Sequence, residues 1–449
     1  MRMTNRREFM QAGGIAAAPV FLARGSAVND RIRVGIAGIR SRGFFLAKTL
    51  YGMKTENVEV AAFCDVDAEP LAAKAVEFEK FSGIKPAVYG DMRKMLEDRS
   101  LDVVIHATPT NWHALGGIWT MQAGKDAYIE KPLALTLEEG RLLVQAARRY
   151  KRIVQHGTQC RSSPEILEMR DQIKRGVIGE VYMARGIAHK YRPGIGKLQP
   201  SKPPANLNYE MWRGPAPMIP YSPNQVHYLW HWFWDTGNGD MGNLAVHCLD
   251  VMRMVLDIEE APTQVQSLGN DLVFDNDARE CPTVQTTAYR FGNRKLFIDF
   301  SLRNGYSNTE AGMGDAIPFN MGDPRDAQGN IFLGSEGYLI QPDYISYRTY
   351  LGRDRKPGPS RVGTGPADPA AWHLANFLKA ARSRKISDLN ADVEQGRKSA
   401  ALCHYSNIAY RVGRTLQIDA ASEEIVGDRE AAKLTSRFYR APYQLPTVR

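Results

Sequence analysis

The chain has 449 residues, of which 43% are apolar and 24% charged. That composition supports a sizeable core and excludes wholesale disorder, collagen-like repeats and low-complexity structure. At ~100–200 residues per domain, the length allows two or three domains. The net charge of +9 is scattered, without a Lys/Arg block, so it points to a basic soluble protein and not to a nucleic-acid binder. No internal apolar run reaches the ~18 residues that a membrane span requires.

Residues 1–27 have the pattern of an export signal. Arg6-Arg7 precedes a weakly apolar stretch from Ala12 to Ala23, and Gly25-Ser26-Ala27 offers small residues for cleavage. The adjacent arginines and the mild hydrophobicity resemble a twin-arginine signal, which implies export of an already folded protein to the periplasm. The competing reading is an ordinary disordered N-terminus on a cytoplasmic protein. Cys64, Cys160, Cys248, Cys281 and Cys403 show no CxxC or metal-ligand spacing. One disulfide could form in an oxidising compartment, but most of these read as small buried hydrophobes.

From Ile32 onward, strands and helices alternate. Ile32 to Ala37 reads as a buried strand that runs into Gly38-Ile39-Arg40-Ser41-Arg42-Gly43 and a helix from Phe44 to Tyr51. Val58 to Phe63 is a second strand, ending at Cys64-Asp65, and a helix is predicted over 70–81. Leu101 to Ile105 is a third strand, followed by Thr108-Pro109 and a helix from Ala114 to Ala123. Ala127 to Ile129 ends at Glu130-Lys131-Pro132. Thr136-Leu137-Glu138-Glu139 is a capping box that opens a helix to Tyr150, and Arg152 to Gln155 is one more strand. Repeated βα units of this length imply a parallel sheet with right-handed crossovers.

The loop after the first strand is the cofactor candidate. Glycines at a strand–helix turn let backbone N–H groups and a helix N-terminus face a pyrophosphate. Gly38 and Gly43 stand at the outer positions of a GxGxxG pattern, but Arg40 replaces the middle glycine. Its guanidinium could crowd the pyrophosphate or pair with it. Asp65 ends the next strand, where a carboxylate accepts from ribose hydroxyls. It would repel a 2′-phosphate and so favours NAD over NADP, while Arg40 and Arg42 pull the other way. Thr108, Pro109 and His113 after one strand, and Glu130 and Lys131 after the next, lie where open α/β sheets bind ligands. A nearby nicotinamide cation and a dry pocket would lower the proton affinity of Lys131.

Further on, His227 to Asp235 packs Trp230, Trp232 and Trp234 with His227 and His231 into nine residues, and Gly237, Gly239 and Gly242 follow. Trp faces stack on sugar rings, and indole and imidazole groups hydrogen-bond hydroxyls; the alternative is a core aromatic cluster or a subunit interface. Pro193 to Pro223 reads as a long ordered loop. Thr283 to Tyr289 and Lys295 to Leu302 alternate like half-buried strands. Arg353 to Pro369 reads as exposed. Asp392 can cap a helix that runs to Val412 with Gly413 as its stop, and the last 30 residues read as an extended arm.

The Gly turn, Cys64-Asp65-Val66-Asp67, the Thr108–His113 segment and Glu130-Lys131-Pro132 together resemble the Gfo/Idh/MocA oxidoreductases. So do Gly157-Thr158-Gln159, Trp212 to Pro217, Gly237 to Asp250, Trp372 to Leu378 and Asn390 to Glu394. The resemblance implies an α/β fold. A Rossmann domain over 28–157 would be followed by an α/β domain over 158–449, built on a large, mostly antiparallel open sheet that forms homodimers or homotetramers. It implies NAD(P), with NAD favoured and tightly held, bound by Gly38, Ile39, Arg40, Arg42, Gly43, Asp65, Thr108, Pro109, His113, Glu130 and Lys131. The family's catalytic set is the Lys of Glu-Lys-Pro with an Asp and a His four residues apart on a helix. Lys131 and His247 match, but Asn243 occupies the Asp position and can orient a hydroxyl without taking a proton. Asn243→Asp is therefore expected to preserve or raise the rate. Asn243, His231, Trp232 and Arg161 are assigned to the substrate, and Asp250 to bracing the helix. No metal site is expected.

Three readings of function follow. The first is an oxidoreductase that moves a hydride between a sugar or polyol hydroxyl and NAD(P). The second is a redox-neutral glycoside hydrolase with tightly bound NAD, favoured by an exported location where nothing recycles NADH. The third is a non-catalytic sugar-binding protein.

Overall fold

The computed structural model describes residues 31–271, 274, 276–306 and 326–448; the signal-type segment over 1–27 lies outside them. Six strands form an all-parallel sheet: β1 (Ile32–Ala37), β2 (Val58–Cys64), β3 (Ala87–Tyr89), β4 (Val103–His106), β5 (Asp126–Ile129) and β6 (Val154–His156). Their order is β3-β2-β1-β4-β5-β6, the doubly wound arrangement in which ligands bind where the strand order reverses, between β1 and β4. The helices are α1 (Arg42–Gly52), α2 (Ala68–Ser82), α3 (Met92–Glu97), α4 (His113–Gln122) and α5 (Leu137–Arg149). They cover both faces, which is why β1, β4 and β5 are continuous apolar runs and not alternating ones. At the start of α5, Thr136 Oγ1 accepts from the Glu139 N–H at 3.3 Å. The Glu139 carboxylate, however, accepts from the Leu135 N–H at 2.7 Å, one residue before the amide that a capping box would use.

A ten-stranded sheet follows. Its strands are β7 (Val181–His189), β8 (Gln264–Asn270), β9 (Val284–Arg290), β10 (Phe297–Arg303), β11 (Ala327–Gly334), β12 (Gly337–Gln341), β13 (Ser346–Leu351), β14 (Lys356–Pro357), β15 (Arg361–Val362) and β16 (Leu416–Gln417). All its pairings are antiparallel except β7 with β10. The chain's other helices are α6 (Pro164–Lys174), α7 (Tyr209–Arg213), α8 (Val246–Val255), α9 (Ala370–Ser383), α10 (Val393–Val412) and α11 (Arg429–Lys433). Phe332 and Leu339 join the core beneath α6, α8 and α10, while the adjoining Ile331 and Ile340 form a separate cluster with Ile187. Neighbours along a strand point to opposite faces, so the sheet carries apolar side chains on both. α10 starts and stops as its sequence predicts: Asp392 accepts from the Glu394 N–H at 3.0 Å, and Gly413 has φ 65°.

Three expectations need adjustment. The loop over 193–223 contains α7 and is hydrogen-bonded to the end of β2, Asn208 N–H to Val66 O and Ala68 N–H to Asn206 O, both at 2.9 Å. The terminal arm carries α11 and then seats buried Tyr443 against Trp112, with ring centroids 5.3 Å apart. All five cysteines are buried and free, so no disulfide links them. No helix among the described residues is long and apolar enough to cross a membrane.

Candidate active site

A cleft of about 560 Å³ opens at the carboxyl ends of β1, β2, β4 and β5, at the point where the strand order reverses. One side is the turn from Gly38 to Gly43. Gly38 has φ +82°, and a Cβ there would stand 2.5 Å from Ala107 O; a Cβ on Gly43 would stand 2.0 Å from Gly38 O. Only glycine fits either place. α1 begins directly after the turn with no side-chain cap from Ser41 and no acidic residue in its first turn, so its first N–H groups remain open to an anion. Asp65 Oδ2 accepts from the Ile39 N–H at 3.0 Å, and its Oδ1 from the Asp67 N–H at 3.1 Å. Each oxygen keeps a further lone pair for ribose hydroxyls. Burial raises this carboxyl above its ordinary value, against the pull of the two amides. Arg40, half exposed, reaches Asp67 at 3.3 Å. These features fit NAD: Gly38, Gly43 and α1 would hold the pyrophosphate and Asp65 the ribose, with Thr108 and Pro109 on the facing wall. Ile39 contributes its amide while its side chain is wholly buried.

At the inner end stands Lys131. Its Nζ donates to Asn243 O and Asn243 Oδ1, both at 2.7 Å. Burial lowers the Lys131 pKa to about 8, opposed by Glu130 and assisted by Arg42 and Arg192. Asn243 sits on a π-turn (Met241–Ala245) that leads into α8; such bulges re-aim side chains and recur at functional sites. His247, two residues into α8, is 5% exposed, with its ring 5.2 Å from that of Tyr344 and its Nδ1 without a partner. Burial holds its pKa well below the ordinary value, and Lys131, Arg42 and His156 add to that. The imidazole is therefore neutral, its low pKa makes it a weak base, and unlike Lys131 and Asn243 it does not line the cleft.

Arg42 and Glu130 line the cleft but are engaged with each other, and several other residues singled out in the sequence lie off it. Arg42 is tied down by Glu130 Oε1 and Asp368 Oδ2, each at 2.7 Å, so its charge is already compensated. Glu130 in turn serves Arg42 and the Lys131 amide. His113 is buried off the cleft, its two ring nitrogens facing Pro132 O at 2.7 Å and Thr108 O at 3.0 Å. It braces two cleft loops and does not itself line the cleft. Arg161 is buried on Asp250, and Trp232 is 1% exposed beneath Arg279; neither lines the cleft. His231 is likewise buried, 2.5 Å from Tyr228 O. The aromatic rings that do line the cleft from this segment belong to His227, Tyr228 and Trp230.

One site residue went unmarked in the sequence. Asp240 is fully buried, three residues before Asn243. It accepts from Asn243 Nδ2 at 3.0 Å, Arg192 Nε at 2.7 Å and Asn304 Nδ2 at 2.8 Å. Burial would raise its pKa, but Arg192, His231, Asn243 and Asn304 together bring it below the ordinary carboxylate value. The i,i+3 spacing from Asn243 is the signal that could have found it. Its position bears on the expectation for Asn243→Asp: a second carboxylate would replace the amide donor 3.0 Å from Asp240, and like charges that close raise the pKa of one of the two.

Comparison with known proteins completes the picture. Residues 32–158 match the model described as "Oxidoreductase family, NAD-binding Rossmann fold". Residues 168–289 and 361–445 match "Oxidoreductase family, C-terminal alpha/beta domain". Glycosyl hydrolase family 109 protein 1 of Shewanella sp. (strain ANA-3) is 35% identical over 156 residues, 34% of either chain. The family 109 protein of Shewanella baltica (strain OS155) is 31% identical over 208 residues, 40% of this chain and 45% of that one. The matches thus span less than half of these relatives' length. Among solved structures, aldose-aldose oxidoreductase from Caulobacter crescentus superposes with a TM-score of 0.64 at 15% identity, covering 86% of this chain and 100% of the other. A levoglucosan dehydrogenase in complex with NADH and levoglucosan superposes with 0.64 at 17%, covering 86% and 99%; both share the fold. With both domains matched by its models, the chain belongs to the Gfo/Idh/MocA oxidoreductase family, and its residues 32–158 are an NAD-binding Rossmann fold.

Proposed function

We propose that the protein moves a hydride between a sugar or polyol hydroxyl and NAD held in the cleft. The observation that carries this reading is the state of Lys131 Nζ. Two of its three donors are fixed on Asn243, and the third remains for an oxygen at the inner end of the cleft. As an ammonium it stabilises charge developing on that oxygen. Neutral His247 takes the hydroxyl proton. NAD, when bound, supplies the hydride acceptor. Tyr228 and Trp230 offer ring faces for a sugar. Two structural neighbours, an aldose-aldose oxidoreductase and a levoglucosan dehydrogenase, support a carbohydrate substrate.

The local match to family 109 glycosyl hydrolases favours a second reading, hydrolysis of a glycoside with no net change in tightly held NAD. One experiment separates the two. The purified protein is incubated with a panel of sugars, polyols and aryl glycosides while reduced-nicotinamide absorbance and aglycone release are followed. Net reduction supports the first reading and aglycone release without it the second. Neither, with no nicotinamide bound, would leave only sugar binding. We further propose export through residues 1–27, and a homodimer or homotetramer formed through the large sheet, testable by sedimentation.

A further inference from the structure

We infer that Asp240 is the positioning residue of this site: through Asn243 it fixes where the Lys131 ammonium stands, and it supplies, one turn early, the negative charge that the family places at position 243. The inference rests on the proposed role of Lys131 and adds what controls it.

An amide side chain can be turned end for end, and only its partners decide which way it faces. Here Asn243 Nδ2 donates to Asp240 Oδ1 at 3.0 Å and to Tyr228 Oη at 3.1 Å. An ionised carboxylate only accepts, so the nitrogen must face Asp240 and the oxygen must face Lys131. That oxygen then accepts from Lys131 Nζ at 2.7 Å. Asp240 cannot swing away, because Arg192 Nε and Asn304 Nδ2 hold its other oxygen at 2.7 and 2.8 Å. Its side chain is completely buried, and that of Arg192 is 12% exposed. The line Arg192–Asp240–Asn243–Lys131 is thus a row of charge-assisted bonds in a water-poor place, where each bond is stronger than at the surface. The charges that Lys131 feels are Glu130 beside it, Arg42 from α1, Arg192 from the loop after β7, and Asp240; His156 and His247 also face it and stay neutral. Glu130 is paired with Arg42 and Asp240 with Arg192, and after Glu130 Asp240 is the second carboxylate that sustains the ammonium.

The test reads Lys131 directly and needs no substrate. The protein, saturated with added NAD, is labelled with trace acetic anhydride across a pH series. Acetylation of Lys131 is followed by peptide mass spectrometry against exposed Lys85. Native Lys131 should titrate near pH 8. Asp240→Asn should move that midpoint down by roughly one unit, a tenfold change in proton affinity. The exchanged pair Asp240→Asn with Asn243→Asp puts a carboxylate directly on Lys131 and should move it above the native value. If Asp240→Asn alone does not fold, the exchanged pair, which keeps one carboxylate in the row, carries the test. A folded Asp240→Asn protein with an unmoved Lys131 midpoint overturns the inference, as does an exchanged pair that titrates below the native protein. If both shifts occur but no sugar is oxidised or hydrolysed by the native protein, the catalytic reading fails and the positioning role of Asp240 stands.

Discussion

Asp250→Ala probes what holds the helix that carries His247. Arg161 Nε lies 2.9 Å from both Asp250 oxygens, and the two side chains are 8% and 0% exposed. Ser399 Oγ adds a third bond at 2.6 Å. Removing the carboxylate leaves a guanidinium buried without its counter-charge, and its Nη2 already lacks a partner. Breaking a buried pair in this way costs about 3–5 kcal/mol. Removing both charges together, as in Arg161→Met with Asp250→Leu, replaces the pair by apolar groups and avoids that penalty. The double variant should therefore cost less than either single one, a strong positive coupling between the sites. The assay is equilibrium urea unfolding followed by far-ultraviolet circular dichroism at one fixed NAD concentration, since ligand shifts apparent stability. Asp250 stands three residues beyond His247 on α8, so the single variant should also lower turnover while keeping bound NAD. A cost below about 1 kcal/mol for Asp250→Ala, or a double variant as costly as the two singles added, would refute the reasoning.

Other expectations concern the site and the leader. Lys131→Met and His247→Ala should keep bound NAD and lose roughly 10²–10⁴-fold in turnover, read on whichever substrate the native protein accepts; loss of NAD from both would show that they hold the cofactor instead. With Lys131 acting as an ammonium, turnover should fall as pH rises through about 8. Because its folded pKa is depressed, the unfolded chain binds more protons above that pH, so this group makes stability rise with pH there; unfolding midpoints at several pH values should show a slope that Lys131→Met flattens. Asp65→Ala should weaken NAD more than NADP in titration calorimetry, and tighter binding of NADP by the native protein would sink the assignment. Arg6→Lys with Arg7→Lys should leave the precursor in the cytoplasm on fractionation, and undiminished export would point to another route.

The parts of the fold that rest on local signals were legible in the sequence. Thr136 and Asp392 start α5 and α10, and Gly413 ends α10, because capping is settled within a few residues. β3 escaped notice because it is three residues long and half exposed. β7, β11 and β12 carry apolar residues on both faces of the ten-stranded sheet, as Ile331 beside Phe332 and Leu339 beside Ile340 show, so their alternation is blurred. In the site, Lys131 and Asp65 were found because strand ends are marked. Trp232 and His231 were placed wrongly because counting aromatic residues cannot assign faces. The segment His227–Trp232 is a 3₁₀ turn, in which residues three apart eclipse; His227 and Trp230 share the cleft side, and Trp232 turns to the core. The sequence marks Asp240 only by its i,i+3 spacing from Asn243, because its partners Arg192 and Asn304 come from distant segments.

The terminal arm gives the cofactor wall an unusual history. Arg437 Nη2 donates to Asn111 O at 2.7 Å across 326 residues of chain. Tyr443 closes on Trp112 and donates to Glu210 at 2.7 Å, and Arg440 Nη2 donates to Gly214 O at 2.8 Å. The parallel sheet and its glycine turn are synthesised first, but the side that holds Trp112 gains its backing only when the chain has been made through Tyr443. Contacts of such sequence separation carry a large loop-closure cost. A nascent chain therefore presents a nucleotide groove with one wall unsupported until synthesis has passed Tyr443.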